Sequence, residues 1–155
     1  MSSKKQKPSR KADAMFDVII GILAGFFGLR AAGKKTGAVT AWGAGKWGFL
    51  RMLDVHGPKT VPQIARARSY SRQRMQKLAD ELAGEGLVTF ADNPDHKTSK
   101  LVTLTPKGQR EYDQLQSQIM SIAGQLAADM KEADLKITAK TLEQLTKKLH
   151  IELGL

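Results

Sequence analysis

The chain has 155 residues, a formal net charge of +10 and no cysteine. That length suits one ordinary domain with its own core, and the missing cysteines exclude a disulfide scaffold, a Cys-ligated zinc site and a thiol switch. Residues 1–80 hold 16 Lys and Arg against 4 Asp and Glu, and residues 81–155 hold 9 against 11, so the first half suits a polyanion, either nucleic acid or an anionic membrane, with solubility charge as the plainer account.

The first segment, MSSKKQKPSRK, carries five basic residues and no acid and reads as a disordered basic arm over residues 1–12. An apolar run, Val18 to Leu29, follows, with Asp13 and Asp17 at its entrance. On its own it looks like a signal peptide or membrane anchor. It is short for a bilayer span, and residues 13–32 are predicted as a buried helix, apolar nearly all round. A Gly-rich connection leads to a second helix from Lys46 to about His56, with Trp47, Leu50 and Leu53 on one face and Gly57-Pro58 as its stop.

TVPQIARARS is predicted as a two-turn helix. Thr60 and Gln63 fit a capping box, and Pro62 is tolerated in the first turn, where its missing N–H had no helical partner. Ser71 is the expected N-cap of the next helix, whose buried face repeats through Met75, Leu78, Ala79 and Leu82. Gly84 and Gly86 supply its stop. LVTFA and KLVTLT are two strands of a hairpin whose tip is DNPDHKTS. Thr105-Pro106 starts a long helix, to about Met130, with Leu115, Ile119, Ile122, Leu126 and Met130 as its stripe. A last helix carries Leu142, Leu145, Leu149 and Leu153.

Two short helices joined by a tight turn, then a hairpin, make a winged helix-turn-helix, so the fold class is mainly α with a small β-hairpin wing. The second helix of such a unit enters the major groove, where each base pair shows a distinct donor and acceptor pattern. Its exposed face here carries Arg72, Gln73, Arg74, Gln76 and Lys77, with Ser71 at its start and no acid before Asp80. Arg suits guanine O6/N7 and Gln suits adenine N6/N7. Arg66 and Arg68 are placed to meet phosphates, and His96, Lys97 and Lys100 on the wing to meet the backbone or the minor groove. Asp95 is expected to order the tip, by pairing with a neighbouring cation or by bonding backbone amides. A solvated basic helix and an ordinary hairpin are the plainer alternatives.

The stretch from Trp47 to Gly108, with WGFLRML, TVPQIARA, LADELAGEGLV and DNPDHKTSKLVTLTPKG, resembles the MarR (multiple antibiotic resistance regulator) family. Leu82 to Val88 match the end of the family's recognition helix, and Leu104, Thr105 and Gly108 match the end of its wing. The usual wing Arg pair stands as His96-Lys97, and Asp95 to Leu104 is one residue longer than the commonest version, which leaves the contact register at the tip open. The resemblance implies a homodimer, with residues 13–36 and 106–155 as dimerisation helices around a DNA-binding unit of residues 44–105. It also implies a site for small aromatic effectors between these parts. Trp42 and Trp47 are the candidates for that site, beside Phe26, Phe27 and Phe49, with ordinary core packing as the competing role.

The three histidines, His56, His96 and His150, fall in separate elements and make no ligand pair, no Gly-rich segment continues as a phosphate loop, and no catalytic set stands out. The expectation is therefore no metal, no cofactor and no enzyme. It is a cytoplasmic, dimeric transcriptional regulator on a near-palindromic duplex operator, most simply a repressor released by a small aromatic effector and not tied to a membrane. The rivals are a winged-helix protein-interaction module or non-specific architectural DNA binder, and a membrane-anchored basic protein.

Overall fold

The computed structural model describes residues 9–36, 45–67, 70–95 and 98–154, with side chains for all of these except 32–36 and 153. The chain divides into two compact units at Gly43 and Ala44.

Among the described residues, the first unit is the helix α1 (Arg10–Thr36), 27 residues long, or about 40 Å at 1.5 Å per residue. The Ser9 hydroxyl accepts from the Ala12 N–H at 3.2 Å and caps it. Asp13 in the first turn complements the helix dipole. The helix begins three residues earlier and ends later than the apolar pattern alone predicts. That extension matters: Arg10–Ala31 is long and apolar enough to cross a membrane by length and composition, so shortness does not exclude a span.

In the second unit, α2 (Lys46–His56), β1 (Lys59–Thr60), α3 (Val61–Ala67), α4 (Arg72–Gly84), β2 (Val88–Ala91) and β3 (Leu101–Leu104) precede two long helices, α5 (Pro106–Ala127) and α6 (Glu132–Leu153). The three strands form an antiparallel sheet in the order β1-β3-β2. Lys59 stands opposite Val102 on one edge of β3, and Phe90 opposite Val102 on the other. The strand β1 was not expected. Its two residues carry no period of their own and are extended only because β3 pairs with them.

The core lies where α2, α3, α4 and the sheet meet. Phe49, Leu50, Ile64, Met75, Leu82, Leu87 and Val102 are fully buried there. Met75, Ala79 and Leu82 come from the expected face of α4, and Leu50 and Leu53 from that of α2. The helix starts follow local chemistry. Thr60 N–H donates to Gln63 Oε1 at 2.9 Å and Gln63 N–H to Thr60 Oγ1 at 3.3 Å, the reciprocal capping box. Ser71 Oγ accepts from Arg74 N–H at 3.2 Å. Thr105 Oγ1 accepts from Gly108 N–H at 3.0 Å, with Pro106 at the helix start.

The stop of α4 falls on Gly86 rather than Gly84. Gly86 has φ 72°, and its N–H bonds Ala83 O while Leu87 N–H reaches back to Leu82 O, both at 2.9 Å. This paired closure needs a left-handed residue, which only glycine adopts cheaply. The helix α5 ends at Ala127, three residues before the expected Met130, and Met120, Leu126 and Met130 are exposed.

Candidate nucleic-acid interface

The leading end of α4 combines a well-fixed backbone with long donors. Arg72, Gln73 and Arg74 occupy its first turn, all exposed, while Met75 beneath them is fully buried. Ser71 caps the turn through its acceptor lone pair, so its hydroxyl hydrogen is left to donate elsewhere.

Further along the helix the expected contacts are partly engaged. Gln76 Nε2 donates to Asp80 Oδ1 at 2.9 Å, one turn on. Lys77 Nζ stands 4.0 Å from Glu81 Oε1, an exposed pair that contributes little. The acids Asp80 and Glu81 thus draw the second-turn donors along their own helix, and the freest donors concentrate in the first turn.

Arg74 itself does not project freely. Its guanidinium carbon lies 4.6 Å from the centroid of the Tyr70 ring. Tyr70 is half-buried against the core, and its N–H donates to Ala65 O at 3.0 Å as the chain leaves α3. Sequence reasoning missed Tyr70. The signal was present as an aromatic four residues before an arginine, but the pair straddles a helix start.

Arg66 is exposed at the end of α3 and lines a cleft of about 640 Å³ with Lys59, Gln63, Asn93, Asp95 and Ser99 among its neighbours. The bracing helix and the wing base therefore share one groove. Among the described residues the wing tip is ordered by Asn93; the basic neighbours expected to pair with Asp95, His96 and Lys97, lie outside them. Asn93 Nδ2 donates to Ser99 O at 3.0 Å and its Oδ1 accepts from Asp95 N–H at 3.0 Å. A neutral side chain with both a donor and an acceptor closes both sides of the tip, which a carboxylate cannot do. Lys100 is exposed where β3 begins. Arg68, His96, Lys97 and Trp42 lie outside the described residues.

The far end of α4 is anchored by the turn that follows the wing. Thr105 Oγ1 donates to Gly86 O at 2.7 Å, and Thr105 N–H to Leu87 O at 3.0 Å. Lys107 Nζ donates to Glu85 O at 2.7 Å. Lys46, at the start of α2, reaches Glu85 Oε2 at 2.6 Å and Glu111 Oε1 at 3.5 Å. The hydrogen bond to Glu85 holds the Lys46 ammonium pKa above its ordinary value, against the pull of partial burial. Gly108 is buried with no room for a side chain, facing the Leu87 carbonyl.

A family model described as the MarR family matches residues 43–97. The chain is similar to an uncharacterized protein of Mycobacterium tuberculosis, 31% identical over 142 residues, covering 89% of this chain and 99% of that one. The chain belongs to the MarR family. The MarR fold extends over nearly all of it: a solved MarR family transcription regulator superposes with a TM-score of 0.73 at 20% identity, over 93% of this chain and 95% of the other. A Staphylococcus aureus MarR solved in complex with salicylate and kanamycin gives a TM-score of 0.70 at 21% identity, over 90% and 93%. As a MarR-family chain it is a DNA-binding transcription regulator on a winged helix.

Trp47, the described candidate for an effector site, is half-buried on α2 and packs against the core. Its Nε1–H donates to Gln116 Oε1 on α5 at 3.1 Å, and the Arg51 guanidinium lies 5.8 Å from its ring centre. Below it, Gln109 Nε2 bridges Asp54 Oδ1 at 2.9 Å and Asp113 Oδ1 at 3.1 Å. Burial, then the nearby Asp54 charge, pushes the Tyr112 phenol pKa up. The polar seam between α2 and α5 thus joins the DNA-binding unit to the long helix.

Proposed function

We propose that the chain acts in the cytoplasm as a homodimeric, sequence-specific repressor, placing two copies of α4 in successive major grooves of a near-palindromic operator. The observation that carries this reading is the capped first turn of α4. Arg72, Gln73 and Arg74 stand exposed above a fully buried Met75, so base-reading donors are mounted on a rigid support. Arg66 and Lys100, with Arg68, His96 and Lys97, serve the phosphates and the minor groove on either side. Their roles differ, and so should their losses. Arg74→Ala is expected to cost about 1–3 kcal/mol on the operator and to relax preference at one base pair in each half-site. Lys100→Ala is expected to weaken all duplexes alike and to lower the salt slope by about one unit per phosphate contact. Titration of both variants against operator and scrambled duplex at several salt concentrations separates the two. Equal loss on both duplexes for Arg74→Ala would remove it from base reading.

A small aromatic acid is the proposed effector, acting through the seam between α2 and α5. The support is Trp47 with Arg51 beside its ring and Gln116 of α5 on its indole N–H, which offers an aromatic face, a cation and a link to the long helix in one place. The Staphylococcus aureus relative solved with salicylate makes that acid the first probe. Salicylate is expected to quench Trp47 fluorescence and weaken operator binding over the same concentration range. Quenching with unchanged DNA affinity would break the linkage, because a ligand with equal affinity for both states shifts neither.

A further inference from the structure

We propose that Tyr70 is a positioning residue for Arg74, holding its guanidinium over the leading turn of α4 so that preference at one base pair depends on a side chain that need not touch the base. The inference rests on the DNA-reading function above. Three observations carry it. The guanidinium carbon stands 4.6 Å from the ring centroid, well inside the range of a cation–π attraction. The ring is anchored: Tyr70 packs against the core and its backbone N–H is held by Ala65 O. Arg74 is also fixed at its other end, since its N–H is bound by Ser71 Oγ.

An exposed arginine free in solution samples many rotamers and must lose that freedom when it binds a base. Stacking on an anchored ring removes part of that loss before DNA arrives, the general advantage of a pre-organised donor. The planar guanidinium keeps its N–H edge available while its face is occupied, so stacking and a two-point contact to guanine are compatible. Gln76 on the next turn shows the alternative fate, with its amide tied to Asp80 of the same helix.

The test uses the full-length protein and a duplex selected by it from a random pool, together with single-base-pair variants of that duplex and a scrambled one. Tyr70→Phe keeps the ring and is expected to keep the full preference. Tyr70→Leu is expected to reduce discrimination at one base pair per half-site by about three- to five-fold, the size of an exposed cation–π attraction, with scrambled-duplex affinity unchanged. In an Arg74→Ala background Tyr70→Leu should have no further effect on that base pair, because the two act as one unit. In the free protein, the Arg74 side-chain N–H resonance should carry a ring-current shift that survives Tyr70→Phe and disappears in Tyr70→Leu. Discrimination by Tyr70→Leu equal to that of the wild type overturns this inference alone, as does equal loss on all duplexes, which marks a purely structural role. A wild-type protein that binds selected and scrambled duplexes equally overturns the proposed function and this inference together.

Discussion

Gly108→Ala is expected to destabilise the DNA-binding unit by about 3 kcal/mol or more, at the upper end of what overfilling a packed site costs when it cannot relax. A Cβ at this position would lie 1.9 Å from Leu87 O and 2.8 Å from the Leu87 carbonyl carbon. These are backbone atoms with no rotamer to escape into. The Leu87 carbonyl accepts from Thr105 N–H and the Leu87 N–H is closed on Leu82 O, while the Leu87 side chain is fully buried. Relief would require α5 to move away from the end of α4, breaking the Thr105 bond to Gly86 O and the Lys107 bond to Glu85 O with it. Total stabilities are about 5–15 kcal/mol, so this single methyl consumes a large share. The control is Gly124→Ala on the same helix, where nothing lies within 4 Å of the added Cβ. It is expected to be neutral or stabilising by up to about 1 kcal/mol. Urea midpoints of the two variants by circular dichroism decide the matter. Similar midpoints would mean that α5 and α4 are not locked at this contact.

The same contact shows why some of the molecule was legible in the sequence and some was not. Helix starts at Thr60, Ser71 and Thr105 depend on a side chain and an amide three residues apart, so residue type and spacing suffice to find them. The resemblance to the MarR family marked Thr105 and Gly108 as a motif but gave no cause. The cause is non-local, a carbonyl 21 positions earlier against which only glycine fits. Lys46 and Glu85, 39 residues apart, are invisible for the same reason. The choice between Gly84 and Gly86 as the helix stop turns on which residue takes a positive φ, and two glycines look alike until the chain closes. At the wing tip the acidic Asp95 stands out in the sequence, while the bonds that close the turn come from the Asn93 side chain. A turn that must satisfy both a carbonyl and an amide wants the amide side chain. At the site, the identity of the donors in the first turn of α4 was readable. Whether each donor is free was not, since Gln76 and Arg74 are engaged by Asp80 and Tyr70.

Loss of α1 is expected to have the broadest effect of any change. Phe16, Ile20, Leu23 and Phe27 are all exposed on this helix, along with Met15, Ile19, Ile22, Phe26 and Leu29, so no side of it is suited to water. Exposed apolar surface on that scale is rare on a monomer, and α5 and α6 also expose Met120, Leu126, Leu135, Ile137 and Ile151. A second copy of the chain is the proposed cover, and an isologous pair would satisfy both sets at once. Deleting residues 13–32 should then give aggregation or a molten state, seen as dye binding and lost near-ultraviolet dichroism. A milder variant, Leu23→Lys, places a charge in the covered surface and should shift the chain from dimer to monomer in sedimentation. Operator affinity should fall with it by roughly 10²–10⁴-fold, because each half-site would be held alone without the effective concentration supplied by its neighbour. The basic residues Arg10 and Lys11 at the start of the helix and its span-length apolar stretch set the competing outcome. A full-length chain that pelleted with anionic vesicles, and sedimented as a monomer once released from them, would assign α1 to lipid. A well-folded soluble monomer from the 13–32 deletion would show that the helix needs no cover, and the dimer would lose its main support.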